Sequence, residues 1–193
     1  MANVDKAYGL RPLGNLSATG GQKQYGYVIQ DNQAGAIFQG DLVTLVAGYL
    51  VKYVSGTHAT AVGVFNGVNY TDPTTGKPTW KNYYPGSVNI TSGQIMAEVL
   101  DDPSQLYVVQ ADEDIVQADI GQNAAVTSTA GSTVNGLSAM ELDSSTITTT
   151  NTLVLKIVGL YNAPNNALGE NFTQVVVKIN AHQYSSIGVA GLT

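Results

Sequence analysis

No cysteine occurs among the 193 residues, which excludes disulfide staples, a thiolate nucleophile and any Cys-ligated zinc. Charge is scarce too: Asp, Glu, Lys and Arg make up 11% of the chain. Only 8 of these residues are cationic against 14 acidic ones, for a net charge of −6. A nucleic-acid surface needs clustered cations to displace counterions from phosphates, and so few argue against it. A membrane surface is disfavoured on the same ground, and no apolar run approaches the ~20 residues of a spanning helix. The opening MANVDKAYGLRPL lacks the apolar stretch of a signal peptide, so folding is expected in a reducing cytoplasm.

Catalytic equipment is equally sparse. The two histidines, His58 and His182, lie in the polar stretches SGTHAT and NAHQY. No serine sits in a G-x-S-x-G elbow, and no phosphate-cradling glycine loop occurs. Carboxylates cluster at Asp101-Asp102 and at Asp112, Glu113, Asp114 and Asp119. Their spacing fits no EF-hand loop, and the neighbouring Pro103 and Gly121 suit turns; they read as caps and edge guards rather than a metal or catalytic set. The sequence therefore predicts no enzyme, no cofactor and no metal. The Asn-X-Ser/Thr triplets at Asn15, Asn69, Asn89 and Asn171 follow from an Asn- and Thr-rich composition.

What is present is alternation. Apolar residues make up 44% of the chain, enough for an ordered core. They recur at every second position in short runs bounded by Gly, Pro, Asn and Asp, which predicts strands. QYGYVIQ is the first run, and AIFQGDLVTLVAGYLVKYV reads as two strands turning near Gly48. QIMAEVLDD and QLYVVQAD are joined by the turn residues Asp102-Pro103-Ser104. TLVLKIVGLY and TQVVVKIN follow near the end. In the last, Val175, Val177 and Ile179 share one face, as in a half-buried antiparallel strand. DEDIV at 112–116 is the kind of short stretch that could turn helical. The fold class is all-β: an antiparallel β-sandwich or tandem small β-barrels. Residues 1–22 read as an extended N-terminal arm, 23–185 as the β domain and 186–193 as a flexible tail. The Thr- and Ser-rich segment 127–152 is a candidate seam between sub-barrels.

The only Trp lies in AVGVFNGVNYTDPTTGKPTWKNYYPGS, 61–87. Val62, Val64, Val68 and Tyr70 keep one parity straight through Asn66-Gly67, which predicts one continuous strand with a bulge at the glycine. DPTTGKP then turns that strand back and brings Tyr70 near Trp80. Trp80, Tyr83 and Tyr84 are expected in the core or at a subunit contact, with a sugar-stacking platform as the alternative.

As whole phrases, MANVDKAYGLRPLGNL, the hairpin above, AEVLDDPSQLYVVQAD, ADIGQNAAV, MELDSS and LVLKIVGLYNAPNNALGENFTQVVVKINAH resemble capsid-associated structural proteins of tailed bacteriophages. The likeness is to the marine-phage and cyanophage type of decoration, or cement, protein. It implies a virion protein made in the host bacterial cytoplasm and bound to the outer face of the capsid. Its partners would be the major capsid protein and further copies of itself, a trimer first and a dimer otherwise. The contact residues expected on this basis are Tyr8 and Arg11 in the arm and Trp80, Tyr83 and Tyr84 in the hairpin. The alternative is a head fibre or adhesin that binds host glycans through 127–152.

Overall fold

The computed structural model describes residues 3–16 and 22–185. In chain order the strands are β1 (Arg11–Asn15), β2 (Gln24–Ile29), β3 (Ile37–Phe38), β4 (Leu42–Val46), β5 (Tyr49–Lys52), β6 (Gly63–Thr71) and β7 (Pro78–Lys81). They continue with β8 (Tyr83–Tyr84), β9 (Ile95–Leu100), β10 (Gln105–Gln110), β11 (Asn123–Val126), β12 (Leu142–Thr148), β13 (Leu155–Leu160) and β14 (Gln174–Ile179). Among the described residues the only helical turn is a 3-10 turn at Gln117–Asp119. The stretch 112–116 before it is bend and coil, because Asp112 is engaged outside it, on Ser144.

All strand pairs are antiparallel, and they form an all-β sandwich of two sheets. The first sheet runs β1-β10-β14-β13-β11-β12. The second runs β2-β9-β6-β4-β5, with β7 added to the distal half of β6, and a small pair, β3 and β8, sits beside it. β6 is long enough to give one edge to two partners: Gly63 and Val64 pair with β4, and Val68–Thr71 with β7. The second sheet curls until β2 approaches β5. In the first, a bridge from Ala111 to Leu142 draws the end of β10 towards β12.

Alternation decides which side chains meet. On β14, Val175, Val177 and Ile179 point inward with Tyr107 and Val109 of β10 and Leu155 and Ile157 of β13. Leu42 and Val64 of the second sheet complete that core, so it is the layer the two sheets share. A second cluster fills the curl of the second sheet, where Phe65, Val68, Ala97 and Val99 close against Ile37 and Tyr84 of the small pair. Fully burying one such aliphatic side chain contributes about 2 kcal/mol.

The turns are those the residues prescribe. Ala47 and Gly48, with φ of 50° and 85°, make the two-residue hairpin between β4 and β5. Asp102 accepts from Ser104 N at 2.8 Å, an Asx turn. The chain does not fold back into a hairpin there: β9 belongs to the second sheet and β10 to the first, so the turn is the corner between layers.

The arm and the segment 127–152 are both tied into the first sheet. The arm is extended, but it is not held off the core: Leu10 is 1% exposed within the shared core and residues 11–15 pair with β10. The reason is that Leu10, alone among the arm's described apolar residues, reaches the inner layer, anchored by its N–H to Gly40 O at 2.9 Å. The segment 127–152 contains β12, which pairs with β11 inside the first sheet. The tail 186–193, like residues 1–2 and 17–21 of the arm, lies outside the described residues.

Candidate functional site

The arm is pinned residue by residue. Gln110 takes the Lys6 N–H at Oε1 and gives its Nε2 to Val4 O, each at 2.9 Å. Tyr8 donates its hydroxyl to Gln174 Oε1 at 2.9 Å. The Arg11 guanidinium stands 4.0 Å above the Tyr8 ring, a cation–π contact. Burial pushes the Tyr8 phenol up to about 12, against the pull of Arg11, so the hydroxyl stays a donor. Gly9 makes this course passable: its φ is +73°, and a Cβ there would stand 2.6 Å from Gly40 O. Tyr8 and Arg11 together wall two adjoining clefts. The larger, of 610 Å3, also contains Lys6, Asn135 and Gln174. The smaller, of 240 Å3, contains Pro12, Gln39 and Asn66. Along the arm, Val4, Leu13 and Leu16 are 76%, 46% and 58% exposed.

The three hairpin aromatics have three different fates. Tyr84 is fully buried, its hydroxyl donating to Gln33 O at 3.0 Å, so it is closed to any partner. Tyr83 is half-buried and stacks on Phe38 with ring centroids 5.6 Å apart. The cause lies in the backbone, which bends at Asn82 so that Tyr83 and Tyr84 pair with β3 instead of continuing β7. Only Trp80 stays open, at 57% exposure.

Trp80 lies on the face of the second sheet turned away from its curl, beyond the end where Leu42 and Val64 meet the first sheet. Asn69 pairs with Trp80 on one side and Met96 on the other, while Gly67 pairs with Glu98. The indole covers Gly67 closely: a Cβ there would stand 2.8 Å from the Trp80 ring. The predicted bulge occurs here, between Phe65 and Gly67, on one continuous strand. Asn69 Nδ2 donates to Glu98 Oε1 at 2.9 Å. Beyond the glycine runs a chain of amides, Gln39 Nε2 to Asn66 Oδ1 and Asn66 Nδ2 to Gln24 Oε1, both 2.9 Å. Asn66 also lines the smaller Arg11 cleft. The structure thus brings Tyr8, Arg11 and Trp80 to the two sides of Asn66. Sequence reasoning gave no binding role to Gln24, Asn66, Asn69 and Glu98. Asn69 and Glu98 carried a signal, standing as polar residues at the outward positions of alternating strands.

The carboxylates serve their own backbone and neighbours. Asp112 holds Ser144 through N and Oγ at 2.9 and 2.7 Å, and Asp119 accepts from Val116 N at 2.9 Å. Asp101 takes the Tyr27 hydroxyl at 2.6 Å. No group of three or more metal-binding side chains occurs among the described residues. Nor is any described helix long and apolar enough to cross a membrane. His182 is buried, accepts Tyr184 N at Nδ1 over 3.0 Å, and is pushed below the usual imidazole range by that burial. No family model, curated protein or solved structure matches the chain.

Proposed function

We propose that the chain is a structural virion protein that binds the outer capsid surface and bridges neighbouring major capsid protein subunits, strengthening the DNA-filled head. The observation that carries this reading is the arm: Val4, Leu13 and Leu16 expose apolar surface beside the Tyr8–Arg11 stack. Apolar side chains along an exposed edge strand call for a covering partner. The whole-phrase resemblance of the sequence to phage decoration proteins supplies the class of that partner. Tyr8 and Arg11 are the residues assigned to the contact, because aromatics and Arg dominate interface energetics. Packaged DNA pushes the shell outward, and each bridge raises the free energy of separating two subunits. Copies joined as a trimer act at high effective concentration, so individually modest contacts suffice.

The test is co-sedimentation of purified protein with expanded heads. Leu13→Asp/Leu16→Asp and Arg11→Ala should lower occupancy about tenfold or more while leaving the melting temperature in place. Full occupancy in both variants would sink the arm as the contact. Cryo-electron microscopy of the particle that carries the protein should show density bridging subunits on the outer shell; density confined to the tail would sink the reading itself.

A further inference from the structure

The open end of the second sheet's outer face serves neither a core nor the arm. We propose that it is a binding site for a neutral hexopyranose unit of a glycan, with Trp80 as stacking platform and Asn69 and Glu98 as hydroxyl partners. The proposal is independent of the arm contact above.

Shape comes first. Trp80 rests over a glycine on a paired strand, which holds the indole close to the sheet, and it remains 57% exposed. A hexopyranose of glucose or galactose type turns a face of axial C–H bonds to such a ring, whose π face is electron-rich. Hydrogen bonding comes second. Gly67, beneath the indole, pairs directly with Glu98, and Asn69 pairs with Trp80. Adjacent strands lie ~4.8 Å apart, about the width of one sugar ring. The Asn69–Glu98 hydrogen bond orients both side chains. An amide and a carboxylate each have acceptor capacity beyond one bond, which suits vicinal hydroxyls. The amide chain Gln39–Asn66–Gln24 leads to the Arg11 cleft and is not part of this site.

Charge comes third. Glu98 is the only ionisable residue that β2, β6, β7 and β9 place on this face, since Lys81 pairs with Val68 of the inner cluster. With Glu98 and no cation at these outward strand positions, carboxylated or phosphorylated sugars are disfavoured relative to neutral ones. The same polar ring disfavours a protein contact, which would have to bury Glu98 and the amides with full pairing.

Trp80 is the single tryptophan, so intrinsic emission reads this face alone. The protein is titrated with cellohexaose, maltohexaose, chitohexaose and galactan, with polygalacturonate as the anionic control. At least one neutral chain should give a saturable emission shift with Kd at or below ~1 mM. Asn69→Ala and Glu98→Gln should each weaken binding about three- to tenfold at unchanged melting temperature. Trp80→Ala should abolish it in calorimetry. No response to any neutral chain at ~10 mM, or an equal response to polygalacturonate, would overturn the proposal. So would an emission shift driven by protein concentration or by added heads, which would make Trp80 a protein contact.

Discussion

Asp41 shows how much one side chain can hold. It is fully buried, and its carboxylate takes Phe38 N at 2.8 Å, Ser138 Oγ at 2.6 Å and Lys52 Nζ at 3.3 Å. Burial outweighs the pull of Lys52 and raises its pKa, so the ion pair does not offset the desolvation. What Asp41 contributes is position: it ties the 127–141 loop to the second sheet. Asp41→Ala leaves buried donors without an acceptor and should cost about 3 kcal/mol in chemical denaturation. His182 works the other way. Its folded pKa lies below the ordinary 6.5 because burial disfavours the cation. The unfolded chain therefore binds the proton first, and stability present above pH 6.5 is lost as pH falls below it. His182→Gln should remove that loss, flattening the unfolding free energy between pH 7 and 5, whose slope from one proton is at most about 1.4 kcal/mol per pH unit. Burying Asp41 has the opposite sign, since acidification towards its raised pKa favours the folded state, so it cannot supply the acid loss. Neither role was legible in the sequence. QGDLV reads as a turn before a strand, and nothing local tells that Ser138 and Lys52 converge on its aspartate.

At the level of elements, sequence and structure agree wherever a strand is specified by its own residues. The β6 alternation fixed a continuous strand with its bulge, and DPTTGKP fixed the return into β7: Asp72 Oδ1 accepts Thr74 N and Thr75 N at 2.8 and 3.0 Å. Disagreement appears where an element's fate depends on distant partners. Tyr84 keeps the spacing of a hairpin aromatic, yet a bend at Asn82 delivers it to β3 and the interior. The close seating of Trp80 on the sheet likewise depends on Gly67 offering no Cβ, which the pattern of its own strand could not reveal. The arm is the third case. Its glycine and polar residues suggested a tether, but one leucine in the core makes it part of the fold. Gly9→Ala combines a left-handed φ with a collision against Gly40 O, and should lower stability by about 2–3 kcal/mol in a urea titration.

On the scale of the molecule, the all-β class was legible because short alternating runs and dense turn residues leave little else, while the choice of a sandwich over tandem barrels was not. The order of strands was not, since β1-β10-β14 and β2-β9-β6 are joined across long stretches of chain. Of the acidic residues read as caps and edge guards, Asp119 caps its own turn through Val116 N, whereas Asp112 reaches across to Ser144 of β12. Removing residues 1–16 deletes Leu10 from the shared core and uncovers an edge of β10. Such a truncation should lose about 3 kcal/mol or more and associate with increasing concentration in analytical ultracentrifugation. Unchanged stability would show that β1 is dispensable.

The pairing of β1 with β10 also sets a timetable for synthesis. The second sheet uses only residues between Gln24 and Leu100, so a nascent chain can assemble it while the rest is still being translated. Among the described strands β1 is made before β10 and must wait for it, and β10 in turn waits for the later β14. Throughout that interval the N-terminal segment is loose and the β10 edge is vacant. Where many copies are made side by side, the strand that fills a vacant edge can come from a neighbour. One topological choice thus opens, during synthesis, an interval in which the β10 edge can accept a strand other than its own β1.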